Sequence, residues 1–245
     1  MTAPTETELR RQLADFYHLV RHLGWDELVF NHISVRLPGE DEHYLVNPFG
    51  LLYDEITPDN LIKVGVDGKL VEASEHGANP AGFALHGVIH ANRADVRCVA
   101  HTHSIAISAV AVKEGGIDHD NFYGAQLFGR VGYHEFEGIT LYEDERERML
   151  TSLGDKEVLV LRNHGVAVCG PDIPSTFALL WIVQRAAEVQ LAAGSIAGPN
   201  HALSDAVRVR CAADAHKITR SSDAFGRLLF ESAVRQMHID RSRRT

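Results

Sequence analysis

Apolar residues recur at helical spacing near the start of the chain. Leu9, Leu13, Phe16, Leu19 and Val20 fall on one face of a 3.6-residue period. Thr5 with Glu8 fits a capping box and Gly24 is a stop, so the first helix is predicted between them. Short β-like runs follow at Asn31 to Leu37, His43 to Asn47 and Leu61 to Val66, and Asp67-Gly68 predicts a tight turn before Lys69, Leu70 and Val71. Residues 72–79 read as a loop, after which Pro80 opens a helix carrying Phe83, His86, Gly87 and His90 on or near one face. Val96, Cys98, Val99 and Ala100 form an apolar run that reads as a buried strand, and residues 105–112 as a helix of small apolar residues. Residues 115–140, rich in Gly, His and aromatics, show no clear period. Further along, a helix is predicted over Glu143 to Leu153, strands at Glu157 to Leu161 and Val166 to Cys169, a long apolar helix from Asp172 to Ala193, and another from Asp205 to Ile239. Strands and helices alternate and then helices close the chain. This order predicts an α/β or α+β sandwich, a sheet covered by helices.

Composition narrows the class. A chain of 245 residues, 45% hydrophobic, fits one globular domain with short tails at about 1–5 and 241–245. No apolar run is long enough to cross a bilayer, and Met1-Thr2-Ala3-Pro4-Thr5-Glu6 lacks the pattern of a signal peptide. Cys98, Cys169 and Cys211 are odd in number and far apart, which implies no disulfide framework and points to a cytoplasmic protein. A net charge of −9 speaks against a general nucleic-acid surface. The basic run Arg241-Ser242-Arg243-Arg244-Thr245 reads as a solvated tail.

The candidate chemistry lies at His101-Thr102-His103, directly after the apolar run. In a strand, residues i and i+2 share a face, so both imidazoles leave the sheet together, as two ligands of one metal ion must. Imidazole suits zinc, iron, manganese, cobalt or nickel. The pair alone does not establish a site, since two polar residues at a strand end give the same pattern; a third ligand decides. His164 lies 61 residues after His103, where the apolar run 158–161 breaks at Arg162-Asn163-His164-Gly165. That quartet reads either as a β-turn or as the place of the third ligand.

These residues resemble the class II aldolase/adducin family. His-Thr-His-Ser at 101–104 followed by Asn-His-Gly at 163–165 carries the resemblance. It extends to Phe30-Asn31-His32-Ile33-Ser34-Val35-Arg36, to Asn47-Pro48-Phe49-Gly50-Leu51-Leu52, to the segment from Asn79 to His86, and to Tyr133-His134-Glu135-Phe136-Glu137-Gly138. It covers about residues 8–240. The resemblance implies an αβα three-layer sandwich around a largely antiparallel sheet, one divalent metal ion per subunit held by His101, His103 and His164, and a homotetramer with sites near subunit interfaces. It also implies substrate contacts at Asn31 and Gly50. Strand alternation points His32 away from its neighbour Asn31, and His86 reads as a hydrogen-bonded core histidine.

The chain departs from the family's sugar-phosphate aldolases at one element. Counting back 19 residues from His101, to where they carry a carboxylate, gives Gly82, and their phosphate-binding serines fall on Pro80 and Ala81. Neither a proton-accepting side chain nor a hydroxyl donor is left there. The expectation is a lyase acting on a small non-phosphorylated oxo or hydroxy acid, by retro-aldol cleavage or decarboxylation, with zinc, manganese or iron as the metal. Tyr133, His134 and Glu137 are the candidate proton donors. Two alternatives use the same chain: a mononuclear non-haem Fe(II) oxygenase on the three histidines, and a non-catalytic adducin-like interaction module.

Overall fold

The computed structural model describes residues 3–39, 42–139, 142–221 and 223–243. Helix α1 (Glu6–His22) starts where the sequence predicts. The Thr5 hydroxyl accepts the Glu8 N–H at 3.3 Å, and the Glu8 carboxylate accepts the Thr5 N–H at 2.7 Å. Gly24 follows at φ +71°, ending the helix. Strands β1 (His32–Arg36), β2 (His43–Val46) and β3 (Ile62–Gly65) come next, and the turn after β3 brings Leu70 back to Val64. Helix α2 (Pro80–Asn92) leads to β4 (Cys98–Thr102) and α3 (Ile105–Ala111).

Residues 115–140 hold elements that the apolar pattern did not announce. These are a single-turn α4 (Phe122–Gln126), capped by the Asn121 side chain, and β5 (Val131–His134). Both are too short to display a period. Within β5 a side chain at Gly132 would meet the Ser152 carbonyl at 2.2 Å, so the strand cannot alternate in the usual way. Helix α5 (Glu143–Leu153), strands β6 (Val158–Leu161) and β7 (Gly165–Gly170), and helix α6 (Ile173–Gly194) follow their predicted positions. Where one helix is predicted from Asp205 to Ile239, the structure has two, α7 (Asp205–Ser221) and α8 (Asp223–Ser242).

The seven strands form one sheet in the order β3-β2-β1-β4-β7-β6-β5. All pairings are antiparallel except β5 with β6, which α5 connects as a crossover. Helices α1, α3, α6 and α8 pack on one face, and α2 and α5 cover the other, giving the αβα sandwich. Alternation sorts the side chains. Ile33, Val35, Cys98, Ala100, Val166 and Val168 enter the larger core, while Val99, Ala167 and Cys169 enter the smaller one beneath α2 and α5. β4 is buried along its whole length, so its end is a fixed point.

β1 and β2 pair only at Val35 and Arg36 and then diverge. The buried Tyr17 hydroxyl fills the gap. It accepts the N–H groups of Ile33 (2.8 Å) and Asn47 (3.1 Å) and donates to the Ile33 carbonyl. Tyr17→Phe would leave two buried N–H groups without an acceptor. The expected cost is roughly 2–4 kcal/mol in urea denaturation; a loss under about 0.5 kcal/mol would show that the hydroxyl does not hold the strands.

Candidate metal centre

His101 stands near the end of β4, opposite His32 on β1 and Ala167 on β7. Its Nδ1 lies 2.9 Å from the Val166 carbonyl, so Nδ1 carries the proton and Nε2 keeps its lone pair. His103 follows just past the strand. The Asn31 amide oxygen accepts its backbone N–H at 3.2 Å, while the Asn31 NH2 donates to the Trp25 carbonyl at 3.1 Å. The His103 Nδ1 sits 2.7 Å from a Glu27 carboxylate oxygen. Here again Nδ1–H donates and Nε2 is left with its lone pair.

His164 arrives from the β6–β7 hairpin, whose turn contains Asn163 at φ +56°, a conformation asparagine tolerates. Gly165 sets the approach. A Cβ there would meet the Thr102 carbonyl at 2.5 Å and the His103 ring at 2.9 Å. The Ser108 hydroxyl spans the backbone carbonyls of His103 (3.1 Å) and His164 (3.0 Å), tying the two ligand-bearing segments together. The three rings meet with centroids 4.5–4.9 Å apart, and one nitrogen of each lies within 4.8 Å of the others.

The donor set fits a divalent cation. The Nε2 atoms of His101 and His103 face each other at 2.6 Å, yet both Nδ1 atoms already hold the ring protons. Two lone pairs at that distance repel, and a cation between them removes the conflict. Nitrogen ligands of one tetrahedral zinc lie roughly 3.3 Å apart, within the spread seen here. Burial holds His101 well below its ordinary pKa, and burial followed by the neighbouring His103 pushes His164 down to about 4. The rings of His101 and His164 are therefore neutral at physiological pH, the form a metal ion requires of an imidazole.

The triad opens on a cleft of about 290 Å³ lined by Phe30, His32, Leu85, Phe136 and Ile139 beside the histidines. Tyr133, His134 and Glu137 do not line it. The Tyr133 hydroxyl accepts the Ile117 N–H at 3.1 Å, and the Arg162 guanidinium lies 4.4 Å from its ring centroid. His134 is buried between Ser152 (3.2 Å) and Glu145 (3.4 Å), and Glu137 pairs with Arg148 on the surface. Gly50, at φ +100° in an exposed loop, is likewise outside the cleft lining, and Asn31 orders the His103 backbone.

His32 takes the direction alternation predicts, with a consequence for the cleft. It does point away from Asn31, but that is the face on which its cross-strand partner His101 stands. The two rings stack at 4.8 Å with 30° between their planes. Behind His32 runs a buried chain. Its Nδ1 is 2.8 Å from Nε2 of His86, whose Nδ1 is 2.6 Å from the Ser34 hydroxyl, which is 2.7 Å from Nε2 of His90. Glu27, Ser108 and the cleft role of His32 were not read from the sequence. Only the β1–β4 register, a tertiary fact, singles out His32, and nothing in the spacing marks the other two.

The family model for the Class II Aldolase and Adducin N-terminal domain matches residues 11–191. This chain belongs to the class II aldolase and adducin family. Among its relatives, a Pseudomonas aeruginosa protein whose name places it with the class 2 aldolases is 40% identical over 190 residues, 78% of this chain and 73% of that one. Rat alpha-adducin is 38% identical over 200 residues, 80% of this chain but 27% of the adducin. The crystal structure of an aldolase II superfamily protein from Pseudomonas syringae superposes with a TM-score of 0.89 at 35% identity, covering 98% of this chain and 95% of that one. The class II aldolase fold assigned from the sequence is thus the fold of the chain.

The buried histidines make a prediction for stability. Burial pushes His90 down to about 3 and holds His86 well below its usual range. Below pH 6.5 the unfolded chain takes up protons that these rings refuse in the fold. Stability is therefore full above pH 6.5 and falls as pH drops, by up to about 1.4 kcal/mol per pH unit for each ring. Urea midpoints of the metal-free protein should fall steadily from pH 7 to pH 5, and less steeply in His90→Gln. A flat profile would contradict this.

Proposed function

We propose that the chain is a divalent-metal-dependent carbon–carbon lyase acting on a small, non-phosphorylated oxo or hydroxy acid. The observation that carries this reading is the convergence of three imidazoles, with the Nε2 atoms of His101 and His103 opposed, on a cleft of small-molecule size. No Lys or Arg is among the described residues lining that cleft, which supports a substrate without a phosphate group.

His101, His103 and His164 would hold the cation; zinc, manganese and iron all suit this donor set. When bound, it supplies positive charge that stabilises the enolate developed in either aldol cleavage or decarboxylation. The protein's own groups do the rest. Glu27 fixes the ring of His103, the Val166 carbonyl fixes that of His101, and Asn31 fixes the backbone between them and the loop at Trp25. Phe30, Phe136 and Ile139 line the cleft with apolar surface and yet are 51%, 54% and 72% exposed in the protomer. This supports a homo-oligomer, in the proposed form a tetramer, whose neighbouring subunit covers the cleft. No helix among the described residues is long and apolar enough to cross a membrane, in keeping with the proposed cytoplasmic location.

Similarity to the adducins favours a second reading, a non-catalytic interaction module. Metal content separates the two. Purified protein dialysed against zinc or manganese should retain about one ion per protomer, and His101→Ala, His103→Ala or His164→Ala should each bring this below about 0.1. Glu27→Gln should weaken metal affinity about 10- to 100-fold while leaving the fold intact. Protein that retains no metal, with a triad variant unchanged in every property, would overturn the lyase reading in favour of the module. Turnover that requires Fe(II) and stops without O2 would replace it with the oxygenase.

A further inference from the structure

Gly82, in the first turns of α2, has no room for a side chain. A Cβ there would lie 2.6 Å from both Cδ2 and Nε2 of His32 and 3.0 Å from its Cε1. The space beside the triad that residue 82 would fill is thus occupied by the imidazole of His32. That ring borders the triad's cleft on one side. On the other it borders a small inner cavity of about 20 Å³ with Ser34, His86 and His90 in its wall, room for about one water molecule.

The polar inventory of the cleft is short. Beyond the three candidate ligands, His32 and Asn79 supply its only polar side chains among the described residues, and no acid lines it. With no carboxylate in the lining to neutralise it directly, a divalent cation there would favour an anionic ligand. The His32 ring is buried and stacks on that of His101. Its Nδ1 is taken by His86, which leaves Nε2 for a ligand.

The chain behind it has two directions open to it. In the one that leaves His32 a donor for the cleft, His90 Nε2–H donates to the Ser34 hydroxyl, Ser34 donates to His86 Nδ1, and His86 Nε2–H donates to His32 Nδ1. Every donor then has one acceptor, and the His32 Nε2–H is left to donate. An oxyanion in the cleft selects this direction over its reverse.

We propose that His32 is a substrate-binding residue of this cleft, its Nε2 donating to an oxygen of a carboxylate that chelates the metal together with a neighbouring oxygen, and that the absence of a side chain at Gly82 is what admits it. The inference rests on the metal-dependent reading and names its ligand class, an α- or β-oxygenated carboxylate. His86, Ser34 and His90 are positioning residues that act through His32.

Oxalate, a two-oxygen carboxylate chelator, is the probe. It is titrated into cobalt-loaded protein and followed by calorimetry and by the cobalt absorption spectrum, with cobalt content measured for every variant. Wild type should bind oxalate. His32→Ala should bind it about tenfold more weakly, the loss of one hydrogen bond to a charged ligand. Gly82→Ala, whose methyl group displaces the ring, should lose a similar factor, and the double variant should be no weaker than His32→Ala alone. Ser34→Ala should weaken oxalate by a smaller factor, about threefold, through the released His86.

A merely structural role would lower the melting temperature of these variants and leave oxalate affinity and spectrum where they are. Should His32→Ala fail to fold, Gly82→Ala and Ser34→Ala carry the same test. Affinity within twofold of wild type in the metal-loaded variants overturns the proposal. So does cobalt-loaded wild type that binds no oxalate. Failure of wild type to take up cobalt at all overturns the metal reading itself, and is told apart by the cobalt content.

Discussion

The candidate centre depends on one backbone contact. β4 and the β6–β7 hairpin meet so closely at Gly165 that a methyl group would strike the Thr102 carbonyl and the His103 ring. That approach brings His164 to the pair formed by His101 and His103. It does not rely on a pliable loop, because β4 and β7 are buried along their length, packed between α6 on one side and the core beneath α2 and α5 on the other. Ser108 then fastens the two segments through their carbonyls. Ligands on such a frame stay in place without a cation to draw them together.

Charge management follows from burial. The rings near the triad are neutral because the interior penalises an imidazolium, and the neutral form is the one that ligates. Each of His101 and His103 spends its Nδ1 proton on an oxygen of different kind, a backbone carbonyl for one and a carboxylate for the other. The carboxylate gives His103 the charge-assisted hydrogen bond of the two. The fold thus distinguishes two ligands that the sequence presents as a symmetrical pair.

Most of the architecture was legible in the chain. Helices with full turns, such as α1 with its capping box and α6 behind Asp172, carry enough period to be read directly. β5 and α4 were not, since four or five residues cannot establish a period and Gly132 interrupts the alternation. The three histidines were legible through strand periodicity, a turn and the family motif. Their supports were not, for a reason that applies to any folded chain. Glu27 and Ser108 meet the histidines only after α1, β4 and the β6–β7 hairpin have docked. His32 shows why alternation alone misleads: it tells which residues of one strand share a face, but only the register tells which face of the neighbouring strand that is.

Glu27 belongs to the short loop between α1 and β1, next to Leu28, a non-glycine residue at φ +48° whose side chain is 65% exposed. The partner of His103 is thus carried by strained, solvent-facing backbone, while the three histidines stand on or directly beside the ends of buried strands. The two layers can change at different rates. Substitutions at the surface loop change what His103 is bonded to and leave the packed strands as they are. The surroundings of the triad are thus open to change from the outside, while the frame that brings the histidines together belongs to the core.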